Sequence, residues 1–278
     1  MRFDAQACLA LAPRRVYAPW IARSRVFAGL YLLVLLAACA GAGKSELSAG
    51  AVDSEARKRA RVYLELASTY FADGMNSYAL DAMQQSLAAD NGLYEAHNLR
   101  GLIYMRMNEP ALAEEGFRKA LAVQAQAASV QHNYGWFLCQ QGRMGEAMAM
   151  FSAALANPAY DARAKTWLTQ GLCQAKAGQA ADAENSLRMA FRLDPSNPVV
   201  GYNLALHLFN QADYARAQAL LAPLNASQWA NAQTMWLGIK LARKRGDGLQ
   251  VTALSASLRS RFAPSPELSL LDKGVFDD

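Results

Sequence analysis

A small residue returns about every 34 positions along most of this chain, and that period constrains the fold more tightly than any other feature of the sequence. Ala67, Gly101, Gly135, Gly171, Ala205 and Gly238 are separated by steps of 34, 34, 36, 34 and 33. Twelve positions after each of the first five stands an alanine: Ala79, Ala113, Ala147, Ala183 and Ala217. Four positions further on, the residue is large and apolar: Met83, Phe117, Phe151, Leu187 and Leu221. Two antiparallel helices cross closely only where small side chains meet, with large ones filling the holes beside the crossing. Each unit therefore reads as a helix–turn–helix, with Gly74, Gly142 and Gly178 at one shared turn position. One such pair cannot bury its own apolar face, so successive pairs must stack. Gln250 stands where the sixth unit should carry its crossing alanine, as expected of a terminal unit with no following neighbour.

The pattern resembles the tetratricopeptide repeat, in which Leu-Gly, Tyr, Ala, Phe, Ala and Pro recur over 34 residues. Tyr104, the later small residues Ala120, Ala154 and Ala190, and the closing Asp194-Pro195 fit that pattern. The expected fold is all-α, a right-handed superhelical solenoid of about six helix pairs. The pairs are placed near residues 60–93, 94–127, 128–163, 164–197, 198–230 and 231–262, within a solenoid spanning 57–262 and followed by a tail at 263–278. In such a stack the first helix of each pair lines the concave side, the usual peptide-binding surface. The residues placed there are Leu64, Phe71, Leu102, Met105, Trp136, Leu168, Leu172, Tyr202, Leu206 and Phe209. Apolar residues at helical spacing also pack between units, so binding and packing stay open for each of them.

Charge directs attention to the N-terminus. The 278 residues carry 28 Lys and Arg against 23 Asp and Glu, a net of +5. Arg2, Arg14, Arg15, Arg23 and Arg25 against Asp4 place +4 of it within residues 1–38. An apolar run from Val26 to Ala38 follows, too short for a membrane span and matched to the hydrophobic region of a secretory signal. Leu36-Ala37-Ala38-Cys39 then looks like a lipoprotein processing site, which implies removal of residues 1–38 and acylation of Cys39. Several acyl chains on one cysteine would hold the protein stably on a membrane. Ala40 at the second mature position suggests sorting to the outer membrane, and residues 39–56 form a Gly-, Ala- and Ser-rich tether whose fifteen central residues reach roughly 20 Å. The processed chain would be almost neutral, so the basic charge does not indicate a nucleic-acid partner.

No catalytic constellation is present. His97, His132 and His207 fall in different units without metal-ligand spacing, so neither a metal nor another cofactor is expected. Glu114 and Glu115 read as solvated surface. The basic clusters Arg57-Lys58-Arg59 with Arg61, and Lys240 with Arg243-Lys244-Arg245, read as solvated helix faces rather than as sites for lipid headgroups or an acidic partner. With Cys8 in the signal and Cys39 acylated, Cys139 and Cys173 remain in an oxidising compartment. They lie near the ends of first helices in adjacent units and are either a disulfide or two buried thiols.

Several segments resemble the type IV pilus biogenesis lipoproteins of the PilF/PilW family. Asn133-Tyr134-Gly135-Trp136-Phe137-Leu138-Cys139-Gln140-Gln141-Gly142 is similar to that family's N-Y-G-x-F-L-C-x-x-G. Asn157-Pro158-Ala159-Tyr160, Gly171-Leu172-Cys173, Trp236-Leu237-Gly238-Ile239 and Phe262 to Leu271 also resemble its segments, while Thr169-Gln170 replaces the usual Asn-Leu and Ala263 is inserted before Pro264. The resemblance implies a non-enzymatic pilotin, a monomeric outer-membrane lipoprotein facing the periplasm that binds secretin subunits and promotes their assembly into the pilus pore. The alternative is a periplasmic repeat adaptor serving peptidoglycan synthesis or outer-membrane protein assembly.

Overall fold

The structure is a computed structural model that describes residues 54–276. The signal sequence, Cys39 and most of the tether lie outside the described residues. Among those described there are thirteen helices and no strand. Twelve helices form six antiparallel pairs: α1 (Glu55–Ala72) with α2 (Asn76–Ala89), α3 (Tyr94–Arg106) with α4 (Pro110–Val123), and α5 (Ala128–Gln140) with α6 (Met144–Ala156). The others are α7 (Arg163–Lys176) with α8 (Ala180–Leu193), α9 (Pro198–Asn210) with α10 (Tyr214–Asn225), and α11 (Ala232–Lys244) with α12 (Gly248–Arg261). The chain is an all-α helical repeat solenoid.

The small residues meet at the crossings. A Cβ added to Gly101, Gly135 or Gly171 would lie 2.8 Å from Phe117, Phe151 or Leu187, a distance carbon atoms do not tolerate. Met83, Phe117, Phe151, Leu187 and Leu221 are all buried, as are the crossing alanines Ala79, Ala113, Ala147, Ala183 and Ala217. In the first pair Ser86 stands where later units carry alanine, and its hydroxyl donates to the Ala60 carbonyl at 2.7 Å. Gln250 borders a gap of about 210 Å³ among α10, α11 and α12, although the Gly238 crossing stays close, with an added Cβ 3.0 Å from Leu254.

The turn within each pair repeats as closely as the helices do. Gly74, Gly142, Gly178 and Gly246 have φ between 72° and 77°, and the equivalent Asn108 and Ala212 are forced to 59° and 60°. In every pair the next residue closes the helix end by donating its amide five residues back, as Met75 does to Tyr70 and Asp213 does to Leu208. Asparagine tolerates this left-handed backbone, but alanine is strained there.

Successive first helices touch along the stack, α1 on α3 through to α9 on α11, whereas successive second helices make no comparable approach among the described residues. The first helices are thus the inner layer and the second helices the splayed outer one. Residues 266–273, expected to be tail, instead form a thirteenth helix, α13 (Pro266–Lys273). It starts 34 residues after α11 and packs on α11 and α12, where the first helix of a seventh pair would sit. The sixth pair therefore does have a following neighbour. Leu268, Leu271 and Phe276 cover its cluster of Met235, Trp236, Ile239 and Leu258, with the Phe276 ring stacked 5.1 Å from Trp236.

The third and fourth pairs are tied internally in two ways. Cys139 on α5 and Cys173 on α7 are joined as a disulfide across touching inner helices, with Cα atoms 6.0 Å apart and both residues buried. Nearby, the buried His132 ring places Nδ1 2.9 Å from the Thr166 hydroxyl, which also meets the Tyr160 hydroxyl at 3.0 Å. Burial, with Lys165 adding to it, pushes the His132 imidazole down to about 4.

Ala212→Gly should raise stability by about 0.5–1 kcal/mol, read as a higher urea midpoint, because glycine removes the left-handed strain. Replacing both Cys139 and Cys173 by alanine should cost ~2–4 kcal/mol in the same assay, with reductant lowering the wild type by a similar amount and leaving the variant unchanged. His132 is harder to protonate folded than unfolded, so its contribution is intact above about pH 6.5 and lost as pH falls toward 4, by on the order of 3 kcal/mol. His132→Gln should remove that part of the acid sensitivity, so wild type and variant should converge or cross as pH falls.

Candidate binding surface

Position along the inner layer follows from the helix register. The ten residues expected on the concave side all lie on first helices, and each is half-buried rather than fully exposed. Leu64 and Phe71 pack on a cluster formed by the first two pairs, around Met83, Leu99 and Ile103. Leu102, Met105 and Trp136 pack on the central cluster around Phe117, Phe137 and Phe151. Leu168, Tyr202, Leu206 and Phe209 pack on a third cluster around Leu187, Leu204 and Leu221. Leu172 is half-buried and stands outside these clusters. These residues thus combine partial exposure with packing.

Phe71 is covered on one face. The Arg106 guanidinium lies 3.5 Å over its ring and also donates to the Phe71 carbonyl, which clamps the ends of α1 and α3 together. At the other end, Phe209 meets Tyr214 at 5.6 Å, and burial pushes the Tyr202 phenol up, with Glu267 of α13 contributing. The α13 cap was not foreseen from the sequence. Its signals were Pro266, one period beyond Ala232, and the aromatic Phe276.

The segment Asn133–Cys139 shows what each of its residues does. Tyr134 is buried and stacks on Phe117, and its hydroxyl donates to Glu114 at 2.8 Å. Gly135 meets Phe151, Phe137 and Leu138 are buried, and Cys139 carries the disulfide. Asn133 donates to Asn98 on the neighbouring inner helix at 3.2 Å. Trp136 and Asn133 are the residues of this segment that remain half-buried.

Glu114 corrects the expectation of a solvated surface. It is only 20% exposed and accepts from Arg143 at 2.8 and 2.9 Å as well as from Tyr134, so it ties α4 to the start of α6. Burial raises its carboxyl, but the hydrogen bonds from Arg143 and Tyr134 outweigh this and hold it below the usual range. The basic clusters are likewise engaged: Arg57 pairs with Asp90 at 2.6 Å, Lys58 with Glu55 at 2.8 Å, and Arg243 lies 3.7 Å over the Phe276 ring. The three histidines are buried in separate repeats, His97 against the Asn91 carbonyl at 3.0 Å, and no cluster of metal-ligating residues occurs among the described residues.

Comparison with known proteins matches this architecture. Residues 94–126, which contain α3 and α4, match the tetratricopeptide repeat family. The chain is 29% identical over 205 residues to the type IV pilus assembly protein PilF of Pseudomonas aeruginosa, covering 74% of this chain and 81% of that one. It is 25% identical over 147 residues to an uncharacterized protein of Haemophilus influenzae, covering 53% and 81%. A solved structure from a functional characterisation of Pseudomonas aeruginosa pilF superposes with a TM-score of 0.68 at 25% identity, over 80% of this chain and all of that one. PilW, described as a widely conserved type IV pilus biogenesis factor, gives 0.68 at 28% identity over 76% and 97%. Together with the repeat crossings and the Tyr134–Cys139 segment, these likenesses make the chain a tetratricopeptide-repeat homologue of the PilF and PilW pilus assembly proteins.

Proposed function

We propose that this protein is a pilotin: a lipoprotein anchored through Cys39 to the periplasmic face of the outer membrane that binds secretin subunits and promotes their assembly for type IV pilus biogenesis. The observation that carries the reading is agreement over nearly the full length of PilF and PilW, with the repeat architecture retained. The fold supplies what such a task needs. A newly exported pore subunit exposes apolar surface and strand edges that aggregate in water. An inner layer of half-buried apolar residues, Leu64 through Phe209, can cover one such segment, while acyl chains on Cys39 route the complex to the membrane. Binding and anchoring are then separable steps, and no bond is made or broken by the protein itself.

Cys39→Ala should leave the helical content and urea midpoint of the repeat domain unchanged. It should also strip the outer membrane of secretin multimers, read by membrane fractionation and gel analysis without boiling. Normal multimers in the outer membrane of that strain would refute the role of the anchor. Leu172→Glu combined with Trp136→Ala should weaken co-purification of the secretin about tenfold or more while circular dichroism stays that of a folded solenoid. Undiminished co-purification would remove the concave layer as the site, and dominant cross-links to peptidoglycan synthases or outer-membrane insertion factors would favour the adaptor role.

A further inference from the structure

A second apolar surface lies on the opposite, outer layer. Between α8 and α10 the splayed second helices leave a cavity of about 590 Å³, floored by Phe191, Leu204, Leu208 and Leu220. It shares Phe191, Ala219 and Leu220 with a further hollow of about 230 Å³ that ends at Trp229, so the two form one trough. The gap has a local cause: a Cβ on Gly201 would have only Phe191 near it, at 4.0 Å, whereas the crossing glycines have neighbours at 2.7–2.8 Å. Trp229 and Val199 beside it are 54% and 56% exposed. The volume falls in the range of roughly 300–1,000 Å³ typical of sites that bury sizeable apolar groups.

The rim is basic. Arg188, Arg192 and Arg216 line the cavity, and no carboxylate does. Arg216 is already held by Glu184 at 2.6 Å and Asp213 at 2.7 Å, but Arg188 reaches Glu184 only at 3.9 Å, and Arg192 has no carboxylate partner among the described residues. Arg188 and Arg192 are one turn apart on α8, spaced to meet acidic groups along a second helix. We propose that this outer trough docks an amphipathic, acidic helical segment of a partner protein, with apolar side chains seated on Phe191 and Leu220 and carboxylates on Arg188 and Arg192. A peptide fits better than an anionic lipid surface, because the apolar floor is recessed between two helices and continues as a trough toward Trp229. A row of side chains at i, i+3, i+4 and i+7 fills such a trough, whereas headgroups need only a flat basic patch. This site is separate from the concave layer and does not depend on the pilotin reading.

The test uses the purified protein and a fluorescein-labelled amphipathic peptide with Leu and Phe at i, i+3, i+4 and i+7 flanked by Glu, alongside a counterpart with Lys for Glu. Anisotropy should show binding of the acidic peptide only, weakened by salt, with amide exchange slowed in α8 and α10 rather than in the first helices. Combined Arg188→Glu and Arg192→Glu, and separately the cavity-filling Ala219→Trp, should each weaken binding at least about tenfold. If Ala219→Trp does not fold, as judged by circular dichroism, the arginine variant decides. Equal binding to that variant, equal binding of both peptides, or protection confined to the concave helices would overturn the proposal. Phosphatidylglycerol vesicles that bind in an Arg188- and Arg192-dependent way while the acidic peptide does not would also overturn it, assigning the surface to lipid.

Discussion

The close crossing of two helices at a residue without a side chain is the constraint on which the other features depend. Gly101, Gly135 and Gly171 bring each first helix so near its partner that a single added carbon would strike Phe117, Phe151 or Leu187. With the paired helices held that close, the large residue four positions beyond the crossing alanine is sealed from water, and its burial supplies much of the stabilisation of each unit. The same spacing sets the angle at which the next pair docks. The approach of α5 to α7, and with it the 6.0 Å Cα separation of Cys139 and Cys173, follows from that docking.

Curvature makes the two layers unequal. First helices touch their successors and compress the inner surface, so its apolar residues are half-buried and shared between packing and the face presented to a partner. Second helices diverge. Where side chains are large enough, the divergence is filled, but beside Gly201 it opens into the trough lined by Phe191 and Leu220. A solenoid of this kind thus offers a tight inner surface and, wherever repeat packing slackens, a recessed outer one.

Charge bridges the outer divergence at defined places. Arg143 reaches from the start of α6 to Glu114 on α4, and Arg216 on α10 reaches Glu184 on α8, each spanning adjacent repeats. These partly shielded links add orientation more than energy, since exposed pairs stabilise by at most about 1 kcal/mol. Within the fourth pair, the Gln170 amide donates to Ser186, whose own hydroxyl donates to Gln174. Ser186 and Gln174 are thereby satisfied, whereas the buried Gln170 Oε1 has no hydrogen-bond partner among the described residues.

Helix pairs, their turns and the buried face of each helix were legible in the sequence, because they are set by residues within one 34-residue period. The small residue, the alanine twelve later and the bulky residue four beyond are local, and helix geometry converts their spacing directly into facing positions. Relations between periods were not legible. The engagement of Glu114 by Arg143 depends on the angle between neighbouring repeats, as do the covering of Phe71 by Arg106 and the opening beside Gly201. Even α13 escaped notice, since eight residues carry too little periodicity to declare a helix; Ser265 and Gly274 cap its ends, and contacts with α11 and α12 hold it in place. Sequence alone determined that the chain stacks helix pairs, since burial of each amphipathic face demands it. Tertiary structure decided which surfaces remain open, because they are what is left after curvature has brought residues of different repeats together.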